Sequence, residues 1–295
     1  MISQFDQATS TSYLGKTERG AHIFTGVAST RWSVGDVPNV SGYVMAMMMD
    51  GVLQHFSKKH QTDPVALNCF FFNKTLGGNY IVEIEELKMS GKGYCVVRAI
   101  LKQTKDLAAL DTVSSYQPSQ WIDKVQGVFT MGNMDAEEGV TYLHKHPTPP
   151  PLNHLVPYEY IFMGEFVDAK LDTHILPVED RTNQPELTQV IGFKDGREVD
   201  FKSMPYWCDM FLALPWLMGP TFLGGPIWCP TMQLEIQFKK KPTGKKVVGH
   251  FLSRHIINGR FDVDGEVWNE QGEILAITRH QNLIVPWSRN VKAKI

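Results

Sequence analysis

The sequence predicts an α+β fold in which one unit, a long buried helix wrapped by an antiparallel sheet, occurs twice. Three observations carry this. A helix-length stretch is apolar on nearly every side; strand-like runs separated by glycine or proline turns follow it; and the same order returns in the second half of the 295 residues.

The first helix is read over "GYVMAMMMDGVLQHFSKK", Gly42 to Lys59, whose apolar residues nearly fill two turns and so demand burial on most sides. Strands are expected at "VALNCFFF", "NYIVEIEELKMS", "GYCVVRAILKQT" and "ALDTVSSYQ", with Gly77-Gly78 and Gly91-Lys92-Gly93 as turns. In the second half a helix over Ser203 to Met218 precedes "TMQLEIQFKKK", "KKVVGHFLSRHII", "RFDVDGEVWNE" and "EILAITRHQNLIV". Turns there fall at Pro242-Thr243-Gly244, Asn258-Gly259 and Gln271-Gly272. Laying Pro64 on Pro230 sets "FFFNKTLGG" over "IQFKKKPTG", which points to duplication of one structural unit. The expected division is residues 1–141, a linker at 142–154, and 155–295. The linker holds four prolines between Pro147 and Pro151, which favour an extended connector. Its His144, His146 and His154 read as solvated, since a mobile connector fixes ligand geometry poorly; no metal or cofactor is expected.

Hydrophobic content of 43% and charged content of 20% are those of a globular chain. A formal net charge of −2 argues against nucleic-acid binding and against attachment to an anionic membrane, because both need a strong positive field. Four scattered cysteines with no C-x-x-C pair suggest neither a zinc site nor a disulfide framework, so a reducing, cytoplasmic setting is expected. The N-terminus lacks the pattern of a secretory signal. The apolar stretch "MFLALPWLMGPTFLGGPIW" is broken by Pro215, Pro220 and Pro226 and reads as buried helix and loop, not as a membrane span. The final "AKI" loosely resembles a peroxisomal import ending, a match more simply ascribed to chance.

"WSVGDVPNVSGYVMAMMMDGVLQH" resembles the first helix block of the acyl-CoA thioesterase II-like family, in which W-x-x-G-x-x-P-N-G-G-Y is common. "YWCDMFLALP", "IWCPTMQLEIQFKKKP" and "GRFDVDGEVWNEQGEILAITRH" resemble three blocks of the family's second half. The style is closer to fungal thioesterase-like proteins than to the bacterial housekeeping enzyme. The resemblance implies a double hotdog, with two long central helices and the sheets joined into one; a single chain then already imitates a dimer, and a homodimer is a further expectation.

It also implies a site in the second unit made of an Asp on the helix, a Thr or Ser opening the next strand and a Gln on the last strand, together orienting a water at a thioester carbonyl. These positions fall on Asp209, Thr231 and, without a gap, His280; Gln281 takes the Gln position only after a one-residue shift, which turns a strand side chain to the other face. An oriented water and a place for the developing oxyanion suit thioester hydrolysis. Asp209 can accept a proton, Thr231 can donate and accept, and His280, unlike Gln, can itself take a proton near neutral pH.

A carboxylate inside the apolar run "YWCDMFLAL" is costly to bury unpaired, which favours a role for Asp209. Thr231 and His280, taken alone, are equally ordinary strand residues. Asp50 lies on the first helix at a place loosely comparable with Asp209, but Val65 stands where the second half has Thr231, and Ser41-Gly42 replaces the family's Gly-Gly; one site per chain is expected. The basic tip "KKKPTGKK" could meet coenzyme A phosphates or simply be solvated. Methionines and aromatics such as Met45 to Met49 and Phe70 to Phe72 read as core, some able to line an acyl tunnel.

The expected function is hydrolysis of an acyl thioester carried by coenzyme A or an acyl carrier protein, in fatty-acid or polyketide secondary metabolism. The alternatives are a cyclase, isomerase or dehydratase using the same pocket on a polyketide-like intermediate, and a catalytically silent acyl-binding protein.

Overall fold

The computed structural model describes residues 2–35, 40–142, 151–172, 176 and 184–290. The chain divides into two compact units, residues 1–137 and 138–291. Of the linker histidines, His144 and His146 lie outside the described residues, whereas His154 sits 3.4 Å from the carboxylate of Asp172.

The first unit comprises α1 (Gln4–Thr9), β1 (Ser12–Lys16), β2 (His22–Ala28), α2 (Ser41–Phe56), β3 (Asp63–Phe71), β4 (Gly78–Lys88), β5 (Cys95–Gln103) and β6 (Ile122–Gly132). Its antiparallel sheet runs in the order β1-β2-β4-β5-β6-β3. α2 is the long buried helix the sequence predicts: Gly42 to Met49 are all buried, as are Gly51, Val52 and Phe56. Unbranched methionines keep rotamer freedom in a helix and fill irregular gaps, so a run of them suits a helix packed on all sides. Gly127 of β6 lets this helix approach, since a Cβ there would lie 3.3 Å from the Met48 methyl and 2.8 Å from Cys69 Sγ.

The expected strand "ALDTVSSYQ" is not one. It is a loop with a single 3₁₀ turn at Val113–Ser115, and Leu110, Val113 and Tyr116 pack on the apolar cluster of Ile23, Ile81 and Trp121. The fourth strand is β6, "IDKVQGVFTMG", which the sequence reading passes over because Gly127 and Gly132 dilute its alternation of buried Val125, Phe129 and Met131.

The N-terminal segment is built into this unit. Asp50 accepts hydrogen bonds from the Thr11 amide and hydroxyl (2.8 and 2.7 Å) and from Gln54 (2.7 Å), so the carboxylate compared with Asp209 serves as an anchor for the chain. Tyr43 donates to the Ala8 carbonyl at 2.7 Å, and Phe5 meets Trp32 edge-on with ring centroids 5.5 Å apart.

The second unit comprises β7 (Val156–Tyr158), β8 (Val167–Leu171), β9 (Glu186–Phe193), α3 (Met204–Asp209), α4 (Pro220–Leu223), β10 (Ile227–Trp228), β11 (Thr231–Phe238), β12 (Lys246–Leu252), β13 (Ile256–Ile257), β14 (Arg260–Asn269), β15 (Ile274–Leu283) and β16 (Val285–Pro286). Its sheet runs β11-β15-β14-β12-β9-β8-β7, and β10 pairs with β16. The strand that follows the helix ends the order and lies beside the last long strand, as β3 lies beside β6 in the first unit. The turn at Asn258-Gly259 has positive φ at both residues (52° and 72°), the geometry of a tight hairpin.

The long second helix is not found. α3 stops at Asp209, and a loop, a 3₁₀ turn at Leu214–Met218 and the short α4 replace the rest. Pro215 cannot donate to the residue four before it, Ala213 just ahead of the 3₁₀ turn is extended (ψ 109°), and Gly219 follows the turn with φ 88°.

Candidate active site

The carbonyls at the end of a helix need partners that the next turn would have supplied. Because α3 ends early, side chains supply them. Gln189 of β9, fully buried, donates to the Met210 carbonyl at 2.6 Å and accepts from the Tyr160 hydroxyl. His280 of β15, 1% exposed, donates from Nε2 to the Cys208 carbonyl at 2.9 Å. That bond fixes the neutral imidazole with its proton on Nε2 and leaves Nδ1 as an acceptor.

Nδ1 of His280 lies 3.9 Å from Oδ1 of Asp209, whose side chain is almost wholly buried. The separation is too long for a direct hydrogen bond and short enough for a water to touch both atoms. The cross-strand neighbours of His280 are Leu234 and Val263, both fully buried, and the Phe211 ring meets the imidazole edge-on at 5.3 Å. Burial in this apolar surround depresses the imidazole pKa from 6.5 to about 4, against the smaller opposing effect of the Cys208 carbonyl. The expectation that His280 takes a proton near neutral pH is therefore corrected: at pH 7 it is a neutral acceptor and a weak base.

Phe211 is itself held. It stacks on Phe251 at 4.1 Å, and Phe251 lies over Gly249 and Gly265, where Cβ atoms would approach its ring to 2.7 Å. Two glycines on neighbouring strands thus make the slot for the ring that supports the ring beside His280.

Thr231 opens β11 and is half-buried. Leu234 is three positions further on, so a regular strand would turn the two to opposite faces. The pairing, however, skips one residue between Thr231 and Gln233: Thr231 lies opposite Asn282 and Leu234 opposite His280. This bulge at Met232 brings Thr231 to the His280 face, diagonal to the imidazole. Gln281 pairs with Gln233 and Asp262, is exposed, and points to the other face, so it does not share a side with Asp209.

Sulfur nucleophiles do not suit this unit at neutral pH. Burial, then Asp209, raises the Cys208 thiol pKa far above its ordinary value, and burial raises that of Cys229 to about 12. On the basic hairpin tip, Lys240 pairs with Glu273, and Lys246 pairs with Asp168 at 2.6 Å. An open polar groove crosses the outer face of β11, β12, β14 and β15, lined by Glu235, His250, Glu266 and Arg279 among others; Asp209, Thr231 and His280 are not part of its lining.

The sequence reading singled out Asp209, Thr231 and His280, of which the structure sets His280 beside Asp209 and Thr231 on the His280 face; it did not single out Gln189 or Phe211. No motif marks them.

Residues 140–284 match the family described as acyl-CoA thioesterase C-terminal domain. Among solved structures, the chain superposes on a protein described as a putative thioesterase II from Thermobifida fusca with a TM-score of 0.76 and 17% identity, over 96% of this chain and 98% of that one. A conserved hotdog-fold protein from Alicyclobacillus acidocaldarius gives 0.76 and 16%, over 97% and 99%. An acyl-CoA thioesterase II from Mycobacterium marinum gives 0.69 and 12%, over 96% and 98%. At these identities the likeness establishes the hotdog fold alone. No curated protein matches the sequence.

Proposed function

We propose that this chain, whose residues 140–284 match the acyl-CoA thioesterase C-terminal domain family, hydrolyses acyl-CoA thioesters with Asp209, Thr231 and His280 around the attacking water. The observation that carries this reading is the neutral, buried His280, tied at Nε2 to Cys208 and facing Asp209 across 3.9 Å.

In the proposed step the water donates one hydrogen bond to His280 Nδ1 and the other to Asp209. Asp209 takes the proton as the water oxygen adds to the thioester carbonyl. The Thr231 hydroxyl, on the same face, donates to the developing charge or to the water. Collapse of the tetrahedral intermediate breaks the C–S bond, and the proton held by Asp209 passes to the departing thiolate. The products are the free acid and the thiol. His280, tied at Nε2 to the Cys208 carbonyl, orients the water through Nδ1, and Asp209 takes and returns the proton.

The replacement of Gln by His fits this division of roles: a glutamine amide presents the same pair, a donor for the Cys208 carbonyl and an acceptor for the water. The test is thiol release from a panel of acyl-CoA thioesters of increasing chain length, extended to acyl-carrier-protein and polyketide-like thioesters. Release by the wild type and its loss in a folded Asp209→Asn variant support hydrolysis. Absence of release from every member overturns it in favour of non-hydrolytic chemistry in the same pocket.

A further inference from the structure

A second cluster lies in the first unit and takes no part in the proposed hydrolysis. His22 opens β2, His55 is on the last turn of α2, and Glu86 is on β4; one potential ligand atom from each lies within 4.8 Å of the others. The sheet register explains the meeting. His22 pairs with Ile84, so Glu86, two residues on, shares the face that turns toward α2. The His55 side chain is only 6% exposed, and its Nε2 already lies 2.9 Å from Glu86 Oε1. The rings of His22 and His55 sit 4.5 Å apart, and the Tyr13 hydroxyl, 3.2 Å from His22 Nδ1, orients the first ring from behind.

We propose that His22, His55 and Glu86 bind a divalent transition-metal ion of the zinc class. Two imidazoles and one carboxylate are a donor set that such an ion prefers, and three protein ligands leave a fourth position for water. With metal–ligand bonds of about 2.1 Å, a tetrahedral ion holds its ligand atoms about 3.4 Å apart. Closure therefore asks for side-chain rotations of about an ångström. Tyr13 plays the supporting part that a hydrogen-bond partner plays behind a ligating histidine. Lys59 Nζ, 2.7 Å from the same Glu86 oxygen, occupies the cation's place in the charge balance and swings out when the ion enters. Bound there, the ion clips the end of α2 to β2 and β4.

The experiment is calorimetric titration of the metal-stripped full chain with zinc chloride, and of a parallel sample with cobalt chloride followed by visible absorption. One zinc per chain with micromolar affinity is expected. His22→Ala and Glu86→Gln each weaken binding by at least roughly 100-fold, since losing a ligand does more harm than losing its support. Lys59→Ala tightens it. These side chains are only partly buried, and circular dichroism checks that the variants stay folded. Cobalt broadening of the His22 and His55 ring signals in the wild type gives a readout that needs no variant. Absence of saturable zinc uptake, broadening at other histidines instead, or uptake undiminished in both variants overturns the site.

Discussion

Replacing His280 with Gln should remove a specific part of the protein's acid sensitivity. The folded-state pKa of His280 is about 4, against 6.5 for the exposed imidazole. Between those values the unfolded chain binds a proton that the folded chain refuses, so stability is complete above pH 6.5 and falls as the pH drops toward 4. Below that it levels off. At 1.36 kcal/mol for each tenfold in affinity, the difference corresponds to about 3 kcal/mol. That is a large part of an ordinary domain's stability. The assay is urea unfolding followed by tryptophan fluorescence at a series of pH values from 4 to 8. Every other titrating group is common to both proteins, so the difference between wild type and His280→Gln isolates this residue. The wild type should lose about 3 kcal/mol more than the variant on going from pH 7 to pH 4. Parallel pH curves would refute the view that His280 is held neutral by burial.

Asp209→Asn should lower kcat for thioester hydrolysis by about 10²–10⁴-fold with little change in KM, the range for loss of a positioned proton acceptor. His280→Gln should keep turnover at pH 7 within about tenfold, because the amide offers the same donor and acceptor; His280→Ala, which offers neither, should lose about 10²-fold or more in the same assay. Gln281→Ala, on the opposite face, should match the wild type in steady-state rate. Gly265→Ala sets a Cβ 2.6 Å from Thr278 Cγ2 and 2.7 Å from the Phe251 ring, and overpacking of this kind costs about 1–3 kcal/mol, measurable by urea unfolding.

Most strands of both units were legible because β4, β5, β11, β14 and β15 carry alternating side chains between turns of Gly, Asn and Pro, and those turns are local chemistry. β6 was not, because two glycines, Gly127 clearing Met48 of the helix and Gly132 clearing Tyr94 and Val65, weaken its pattern. The early end of α3 was half legible. Pro215 announces a break, but the stop at Asp209 depends on Gln189 and His280, which come from distant strands. In the site, the family resemblance pointed to Asp209 and His280, and the apolar run surrounding Asp209 to that residue alone, whereas the face of Thr231 was settled by a bulge at Met232 that exists only in the pairing with β15. The depressed basicity of His280 has the same long-range origin, since Leu234 and Val263 desolvate it from either side.

The anchoring of the N-terminal segment bears on how this protein can be handled. A deletion ending past Thr11 would strip Asp50 of two of its donors and Tyr43 of its acceptor at Ala8, leaving Gln54 on the acid and the Ser29 amide on the phenol. The opening dozen residues are thus part of the packing of the first unit, with Phe5 and Thr9 buried, and trimming them removes core and not a loose tail.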